Sequence, residues 1–188
     1  CAYPLSPASR TDTYLIFPRA TTAGVKFREE RFEIKSLVEN HGPAEFTSGI
    51  SGTVQTWEKW SVSGEPFQSY SRVPLNGQEN WIDVRKRRYL KTFRVEGGSV
   101  SGVDPGDTGF SPEEGCYAEL TEVGIFGDLF WTIGLESFST ANEHLTHLKK
   151  AAHFLFAAVP PVDVELAGIL HLENSLAYPS FLKSLTKS

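Results

Sequence analysis

The sequence has little of what cross-links a small protein. It contains two cysteines, Cys1 and Cys116, and no methionine among its 188 residues. Two cysteines can form neither a disulfide framework nor a zinc site with paired cysteines, although a single bridge between them stays open. We therefore expect a hydrophobic core to hold the fold, and a chain of this length with 40% hydrophobic residues can supply one.

The sequence also lacks long apolar runs and an excess of basic residues. No run of about 18 apolar residues occurs, so we expect no transmembrane segment. The net charge of −5 argues against duplex nucleic acid as a partner, because proteins that bind it usually present a basic surface. We expect a soluble protein in the cytoplasm. Because the first residue is Cys1 and not methionine, an exported, lipid-modified form is the alternative.

The most informative stretch lies at residues 25–38, VKFREERFEIKSLV, where charged and apolar side chains alternate. The alternation indicates a strand, and its change of phase predicts a tight reversal at Glu29 and Glu30. A bulge in one long strand is the alternative. The reversal predicts the cross-strand pairs Val25–Ile34, Lys26–Glu33, Phe27–Phe32 and Arg28–Arg31. The charged side of this hairpin is then either solvated surface or the lining of a polar cavity for an anion.

Strand signals dominate the chain up to Phe138, and helix signals follow. The predicted strands cover residues 13–17, 25–28, 31–38, 53–62, 81–95, 116–125 and 129–138. Residues 96–115, rich in Gly, Ser, Pro and Asp, predict a hairpin connector. Helices are predicted after Ser139, at about 164–174 and at 178–185. We predict one α+β domain over residues 1–188, a largely antiparallel sheet or barrel (about 12–138) covered by helices (about 140–186).

Charged side chains recur on the later predicted strands. The strand at 81–95 carries bases on both faces, with Lys86, Arg88 and Arg94 on one and Arg85, Arg87 and Lys91 on the other. Glu119 and Glu122 fall on opposite faces of their strand, and Trp131, Ile133 and Leu135 form an apolar face on the next. In a closed barrel the bases and acids would meet in one lumen, which suits polyphosphate chemistry with a divalent cation. A twisted sheet with a salt-bridged, solvated face is the alternative.

Histidine and cysteine offer weaker candidates. His144 and His147 lie one helical turn apart, which suits a metal pair, but we favour an exposed turn of helix beside Lys149 and Lys150. Cys116 has no basic residue beside it in sequence, and we expect it to be a packing residue. The four tryptophans are expected in the core or at a barrel rim.

Six short motifs occur in an order that resembles one enzyme family. They are Asp12-Thr13-Tyr14-Leu15, Val25-Lys26-Phe27-Arg28, Phe32-Glu33-Ile34-Lys35, Arg85-Lys86-Arg87-Arg88, Tyr117-Ala118-Glu119-Leu120-Thr121 and Gly134-Leu135-Glu136. A short C-terminal helix at residues 178–185 is similar to the one in that family. Together they resemble the triphosphate tunnel metalloenzymes, the CYTH-type superfamily that includes thiamine triphosphatase, class IV adenylate cyclase and inorganic triphosphatases.

The resemblance implies an antiparallel eight-stranded tunnel-like barrel, or a seven-stranded one if the first strand is absent, with C-terminal helices packed outside. It implies hydrolysis of an inorganic, thiamine or nucleoside triphosphate with Mg²⁺ or Mn²⁺. It assigns Lys35 and Arg88 to catalysis, Lys26, Arg28, Arg85 and Lys86 to phosphate binding, and Glu119, Glu136, Glu33 and Glu122 to the metal.

The sequence departs from this family in its acids. No acid precedes Asp12, where the family has a first strand of alternating glutamates, and Thr121 and Gly134 stand where further acids are expected. Either that strand lies upstream of Cys1, or the protein is a catalytically degenerate anion-binding or interaction module of the same fold. A lipocalin-like barrel that carries an apolar ligand is the remaining alternative, and it requires an apolar lumen.

Overall fold

The fold is a sheet followed by helices, as the sequence predicts. The computed structural model describes residues 8–17, 19–28, 31–63, 80–103, 113–157 and 168–186. The strands are β1 (Ala8–Leu15), β2 (Ala23–Arg28), β3 (Arg31–Thr47), β4 (Ile50–Ser63), β5 (Trp81–Glu96), β6 (Ser99–Gly102), β7 (Glu114–Ile125) and β8 (Asp128–Ser139). The helices are α1 (His144–Ala157), a 3₁₀ turn (Leu172–Asn174) and α2 (Tyr178–Leu185). Within the residues described, no helix combines the length and apolar character needed to cross a bilayer.

The strands form one mostly antiparallel sheet in the order β4-β3-β2-β1-β5-β7-β8, with β6 paired to β5. In the part of the chain that the structure describes, the pairing does not close between the first and last strands of this order. The α+β class is therefore confirmed, and closure into a barrel stays a prediction. The predicted helix at residues 164–174 corresponds, where it is described, to a short helical segment and the 3₁₀ turn.

The β2–β3 hairpin has the register that the alternating sequence predicts. Its pairs include Val25↔Ile34, Lys26↔Glu33, Phe27↔Phe32 and Arg28↔Arg31. The reversal at residues 29–30 lies outside the described residues. Because side chains of directly paired residues lie on the same face, the charged residues of β2 and β3 share one face of the sheet.

The strand predictions were incomplete at β3 and in the connector after β5, and β1 and β4 begin before their predicted starts. The strand β3 continues past Val38 because the segment with Asn40 and Gly42, whose composition favours a turn, makes only a local bend. Gly42 has a φ of 82°, and its N–H donates to Asn40 Oδ1 at 3.0 Å. The expected connector also contains β6, which returns along β5 through a turn at Gly97 and Gly98 with φ values of 56° and 88°. Positive φ at two successive residues is the geometry of a tight hairpin turn.

The chain divides into two compact units. The hairpin unit comprises Arg10–Glu45, Gly49–Arg85 and Ala167–Ser188, and the helix unit comprises Cys1–Ser9, Phe46–Ser48 and Lys86–Leu166. Residues of β5 contribute to both units. That a single domain spans residues 1–188 stays a prediction.

The core of the helix unit forms where α1 packs on β5 and β7. Phe93, Cys116, Ala118 and Ala151 are buried there, and Val100, Leu135, Leu148 and Leu155 pack around them. Cys116 is a free thiol in the core, as its expected packing role requires. Burial raises the pKa of this thiol to about 12, which makes it an inert side chain near neutral pH.

The apolar face predicted on β8 is not buried throughout. Trp131 is 58% exposed and Ile133 43% exposed, and Leu129 and Leu120 beside them are also exposed. The pairs Ala118↔Leu135 and Leu120↔Ile133 place all these side chains on the face that α1 covers only at its Cys116–Ala118 end. We call the uncovered part, made of Leu120, Leu129, Trp131 and Ile133, the β8 apolar face.

The start of α1 also differs from its prediction. The preceding turn is capped by Glu114, which accepts from the N–H of Thr140 at 2.8 Å, and by Ser139 Oγ, which accepts from the N–H of Glu143 at 3.0 Å. Hydrogen bonds from Ser139 and Thr140 lower the pKa of Glu114 to about 2. His147, expected to be exposed, is buried, with Nδ1 3.3 Å from Glu114 and Nε2 3.3 Å from Glu143. The contact with Glu114 could not be predicted locally, because that residue lies on a distant strand, whereas Glu143 lies one helical turn before His147.

Two glycines on β7 and β8 test how closely the helix unit is packed. A Cβ on Gly115 would overlap the carbonyl oxygen of Phe93, whereas a Cβ on Gly134 would have no atom within 4 Å. We expect Gly115→Ala to lower the free energy of unfolding by about 1–3 kcal/mol or more, because backbone cannot move aside as a flexible side chain can. Gly134→Ala is the matched control and should change it by about 0.5 kcal/mol or less. Urea unfolding midpoints measure both, and equal midpoints would contradict the packing described.

Candidate functional site

Charged side chains of three adjacent strands share one face of the hairpin unit. The pairs Tyr14↔Lys26 and Lys26↔Glu33 set β1, β2 and β3 in register, so every second residue of each strand lies on this face. We call it the charged face; its members are Arg10, Asp12, Tyr14, Lys26, Arg28, Arg31, Glu33 and Lys35. Five of them are basic and two are acidic, within a chain whose net charge is −5.

The acids of the charged face are buried in contact with its bases. Asp12 is 0% exposed and Glu33 5%. Lys26 Nζ lies 2.9 Å from Glu33 Oε2 and 3.4 Å from Asp12 Oδ2, and Arg10 Nε donates to Asp12 Oδ1 at 3.1 Å. Of the two interpretations of this face, an ordinary solvated surface does not fit, because its carboxylates are removed from water.

The electrostatic environment of Glu33 is positive. Burial by itself raises the pKa of Glu33, but the hydrogen bond and charge of Lys26, with the charges of Lys59 and Arg28, outweigh burial and lower it. A buried carboxylate stays ionised only where nearby cations compensate for lost hydration. The cations around Glu33 therefore keep this buried side chain ionised.

The C-terminal helix covers one end of the charged face. The Tyr178 ring stacks on Tyr14 with centroids 5.2 Å apart, and a Cβ on Gly24 would lie 3.2 Å from Pro179. Gly24 pairs with Lys35, so α2 contacts the face beside this lysine. Burial, then Tyr178 and Asp12, raise the pKa of Tyr14 well above its usual value, which keeps its phenol neutral.

In the helix unit, a second set of predicted site residues meets on β5 and β7. Arg88 Nη1 donates to Glu119 Oε2 at 3.2 Å, and Thr121 Oγ1 donates to Glu119 Oε1 at 2.7 Å. Lys86 lies two residues from Arg88 on the same face of β5 and is buried. Glu136 shares the face of Glu119, because Tyr117 pairs with Glu136 and Glu119 with Gly134.

Two predicted residues lie away from these sets. Arg85 is exposed and, as the neighbour of Lys86 in β5, points to the opposite face. Glu122 pairs with Trp131 and belongs to the face of β7 opposite Glu119. Both positions follow from strand alternation.

The described carboxylates are not arranged as a metal site. Among the described residues no group of three His, Cys, Asp or Glu side chains is placed to hold a metal ion. Both oxygens of Glu119 accept hydrogen bonds, and Glu33 is bonded to Lys26. Each of these oxygens keeps a further lone pair, so the hydrogen bonds do not decide whether a cation binds. Mg²⁺ or Mn²⁺ stays a prediction of the resemblance.

A shallow groove of about 470 Å³ lies elsewhere in the helix unit, between β6 and α1. Val100, Phe154 and Ala157 give it a mainly apolar lining, with Lys150 and His153 at its side. It contains none of the predicted site residues.

Sequence reasoning missed Arg10 and Tyr178 as members of the charged environment. The strand β1 begins at Ala8, five residues before the prediction, and this extension brings Arg10 onto the face of Asp12. An Arg-x-Asp spacing in a strand is a signal that could have found Arg10. No local signal indicates that Tyr178 stacks on Tyr14, because the two residues are far apart in sequence.

A comparison with known proteins finds no matching family model, no matching curated protein and no matching solved structure. The resemblance to the triphosphate tunnel metalloenzymes therefore depends on the six motifs alone.

From the ion pairs of Lys26 we predict how the free energy of unfolding depends on this lysine and on pH. We expect Lys26→Met to lower the free energy of unfolding by about 3 kcal/mol near pH 7.5, because it leaves two buried carboxylates without their ammonium partner. Without the ammonium group, burial raises the pKa of Glu33, so this acid accepts a proton as the pH falls and the deficit shrinks toward pH 4.5. Chemical denaturation at both pH values measures this.

Two further variants serve as controls. Lys26→Arg should recover most of the stability, since guanidinium keeps the charge. Lys149→Met, at an exposed position of α1, should have little effect at either pH. A Lys26→Met deficit that is the same at both pH values would show that the lysine contributes packing and not charge.

Proposed function

We propose that the charged face binds a phosphate-chain anion, such as tripolyphosphate or the phosphate chain of a small molecule. The observation that carries the proposal is the excess of bases over acids on one partly buried face of an acidic protein. Basic residues without a shared role would be distributed over the whole surface. Here the register of β1, β2 and β3 places five of them on one face.

The two kinds of base suit different parts of such a ligand. Arg28 offers a planar fork that can bond two phosphate oxygens, and Lys35 offers a compact charge. Lys26 is fixed by Asp12 and Glu33, so it contributes to the positive potential without the loss of side-chain freedom that binding usually involves. The buried charges also make an apolar ligand a poor occupant, which weakens the alternative of a lipocalin-like carrier.

Hydrolysis of a triphosphate within a closed eight-stranded tunnel is the second candidate. The order of the six motifs supports it, as does the placement of Glu119 and Glu136 on one face of β7 and β8 with Arg88 bonded to Glu119. The acids missing from the motifs, with Thr121 and Gly134 in their places, favour binding without catalysis over hydrolysis. The degenerate anion-binding module is therefore our first choice.

Titration calorimetry with tripolyphosphate at low ionic strength tests the binding proposal. We expect Arg28→Met and Lys35→Met each to weaken binding about tenfold or more, since each removes a charged contact. Lys149→Met removes the same charge from an exposed site on α1 and should leave the affinity within about twofold. An equal loss in all three variants would reduce the effect to net charge and contradict the proposal.

Phosphate release tests hydrolysis on the same preparation. Tripolyphosphate, thiamine triphosphate and ATP are each incubated with Mg²⁺, with Mn²⁺ or with EDTA. We expect binding of tripolyphosphate without phosphate release in any of the three conditions. Release that EDTA abolishes and that Glu119→Gln reduces about a hundredfold would instead establish the hydrolase. The absence of both tripolyphosphate binding and phosphate release would reject both candidates.

A further inference from the structure

Arg10 is held on the charged face by one of its three guanidinium nitrogens. Its Nε donates to Asp12 Oδ1 at 3.1 Å, and the Arg10 side chain is only 10% exposed. A guanidinium group carries five N–H donors in one rigid plane, so four donors remain on the two Nη atoms. Among the described residues, none accepts a hydrogen bond from those Nη atoms. Because little water reaches this side chain, its remaining donors are well placed to bond the oxygens of a ligand.

Strand direction places three arginines at one end of the charged face. From the pair Tyr14↔Lys26, β1 runs back to Arg10 and β2 runs on to Arg28. The two strands are antiparallel, so both steps lead in the same direction along the sheet. Arg31 lies at this end too, because it pairs with Arg28. We call Arg10, Arg28 and Arg31 the arginine end.

The opposite end of the charged face has a different composition. There Lys35 pairs with Gly24, and Pro179 of α2 lies close above that glycine. Lys26, between the two ends, is bonded to Glu33. The face therefore has its planar guanidinium groups at one end and its ammonium groups elsewhere. Such a face suits an elongated anion whose terminal group differs from the rest of the chain.

We propose that the arginine end binds the terminal phosphate group of an open phosphate chain, with the Nη atoms of Arg10 bonded to its oxygens. The inference rests on the proposed anion binding and adds which part of the ligand lies at which end. A terminal phosphate group offers three acceptor oxygens and close to two negative charges near neutral pH. A phosphate within a chain or a ring offers fewer of both. Like charges directly opposite each other, such as Arg28 and Arg31, destabilise a strand pair, and a doubly charged group beside them offsets this.

Two phosphate anions that differ only in their ends test the inference. Tripolyphosphate is an open chain with terminal phosphate groups, whereas trimetaphosphate closes the same phosphates into a ring without any. Titration calorimetry with the full chain at low ionic strength measures both affinities. We expect Arg10→Lys, which keeps the charge and removes the planar fork, to weaken tripolyphosphate binding about tenfold or more. Binding of trimetaphosphate should change by less than about twofold.

Two more arginines extend the comparison. Arg31→Lys makes the same substitution at an exposed position of the arginine end, where no buried contact is disturbed. It should show the same selective loss for tripolyphosphate, by about threefold or more. Arg19→Lys, at an exposed arginine between β1 and β2, is the matched control and should leave both affinities within about twofold. Urea unfolding midpoints show that each variant is folded under the conditions of the titration.

The reversal between Arg28 and Arg31 carries Glu29 and Glu30, which lie outside the described residues. Replacement of both by glutamine should raise the affinity for tripolyphosphate by less than about threefold, through the change in net charge. A rise of about tenfold or more would assign the arginines to these acids and overturn the inference.

Two further results would overturn the inference and leave anion binding in place. The first is an equal loss of tripolyphosphate and trimetaphosphate binding in Arg10→Lys and Arg31→Lys. The second is an unchanged affinity for tripolyphosphate in both variants. If the unaltered protein binds neither anion, the proposed function itself is rejected, and this inference with it.

Discussion

The ammonium group of Lys26 lies between two carboxylates that the sheet removes from water, and the charged face depends on this contact. An uncompensated carboxylate in a protein interior is unfavourable by several kcal/mol. Lys26 compensates Glu33, and it compensates Asp12 together with Arg10. The contact also specifies register. A slip of one residue between β2 and β3 would move Lys26 to the apolar face and leave Glu33 buried alone. The ion pairs and the strand pairing therefore stabilise each other.

An ion-pair network of this kind is not by itself a binding site, because buried charges can serve register alone. The charged face contains more than such a network requires. The face has five bases and two acids. Lys26, Lys59 of β4 and Arg28 together lower the pKa of Glu33 against the effect of burial, in a chain that is acidic as a whole. This composition is the basis on which we propose an anion ligand.

The sequence was sufficient for the features that depend on neighbouring residues. Alternation predicted the β2–β3 register pair by pair, and it predicted which bases of β5 share a face, because the direction of a side chain is a local property of a strand. Burial depends instead on what covers a face. The sequence could not predict that Trp131 is exposed or that His147 is buried beside Glu114, since α1 covers one end of a face and leaves the rest. Alternation identified an apolar side of β8 but not how much of it α1 covers. The same holds for the candidate site. Strand alternation predicted which side chains share a face, but it could not predict that Tyr178 packs on Tyr14.

One unit buries charged side chains, and the other leaves apolar side chains exposed. In both units the cause is which part of the sheet the helices cover. In the hairpin unit, α2 and the strands bury part of a charged face, which is stable because the buried Asp12 and Glu33 form ion pairs with Lys26 and Arg10. In the helix unit, α1 is too short to cover the whole apolar face of β7 and β8, and the uncovered part extends to the end of the sheet order. Burial of ionised groups is tolerated where opposite charges compensate for lost hydration, and exposed apolar side chains remain where no helix packs on them. Coverage by α1 and α2 therefore decides which side chains each unit buries.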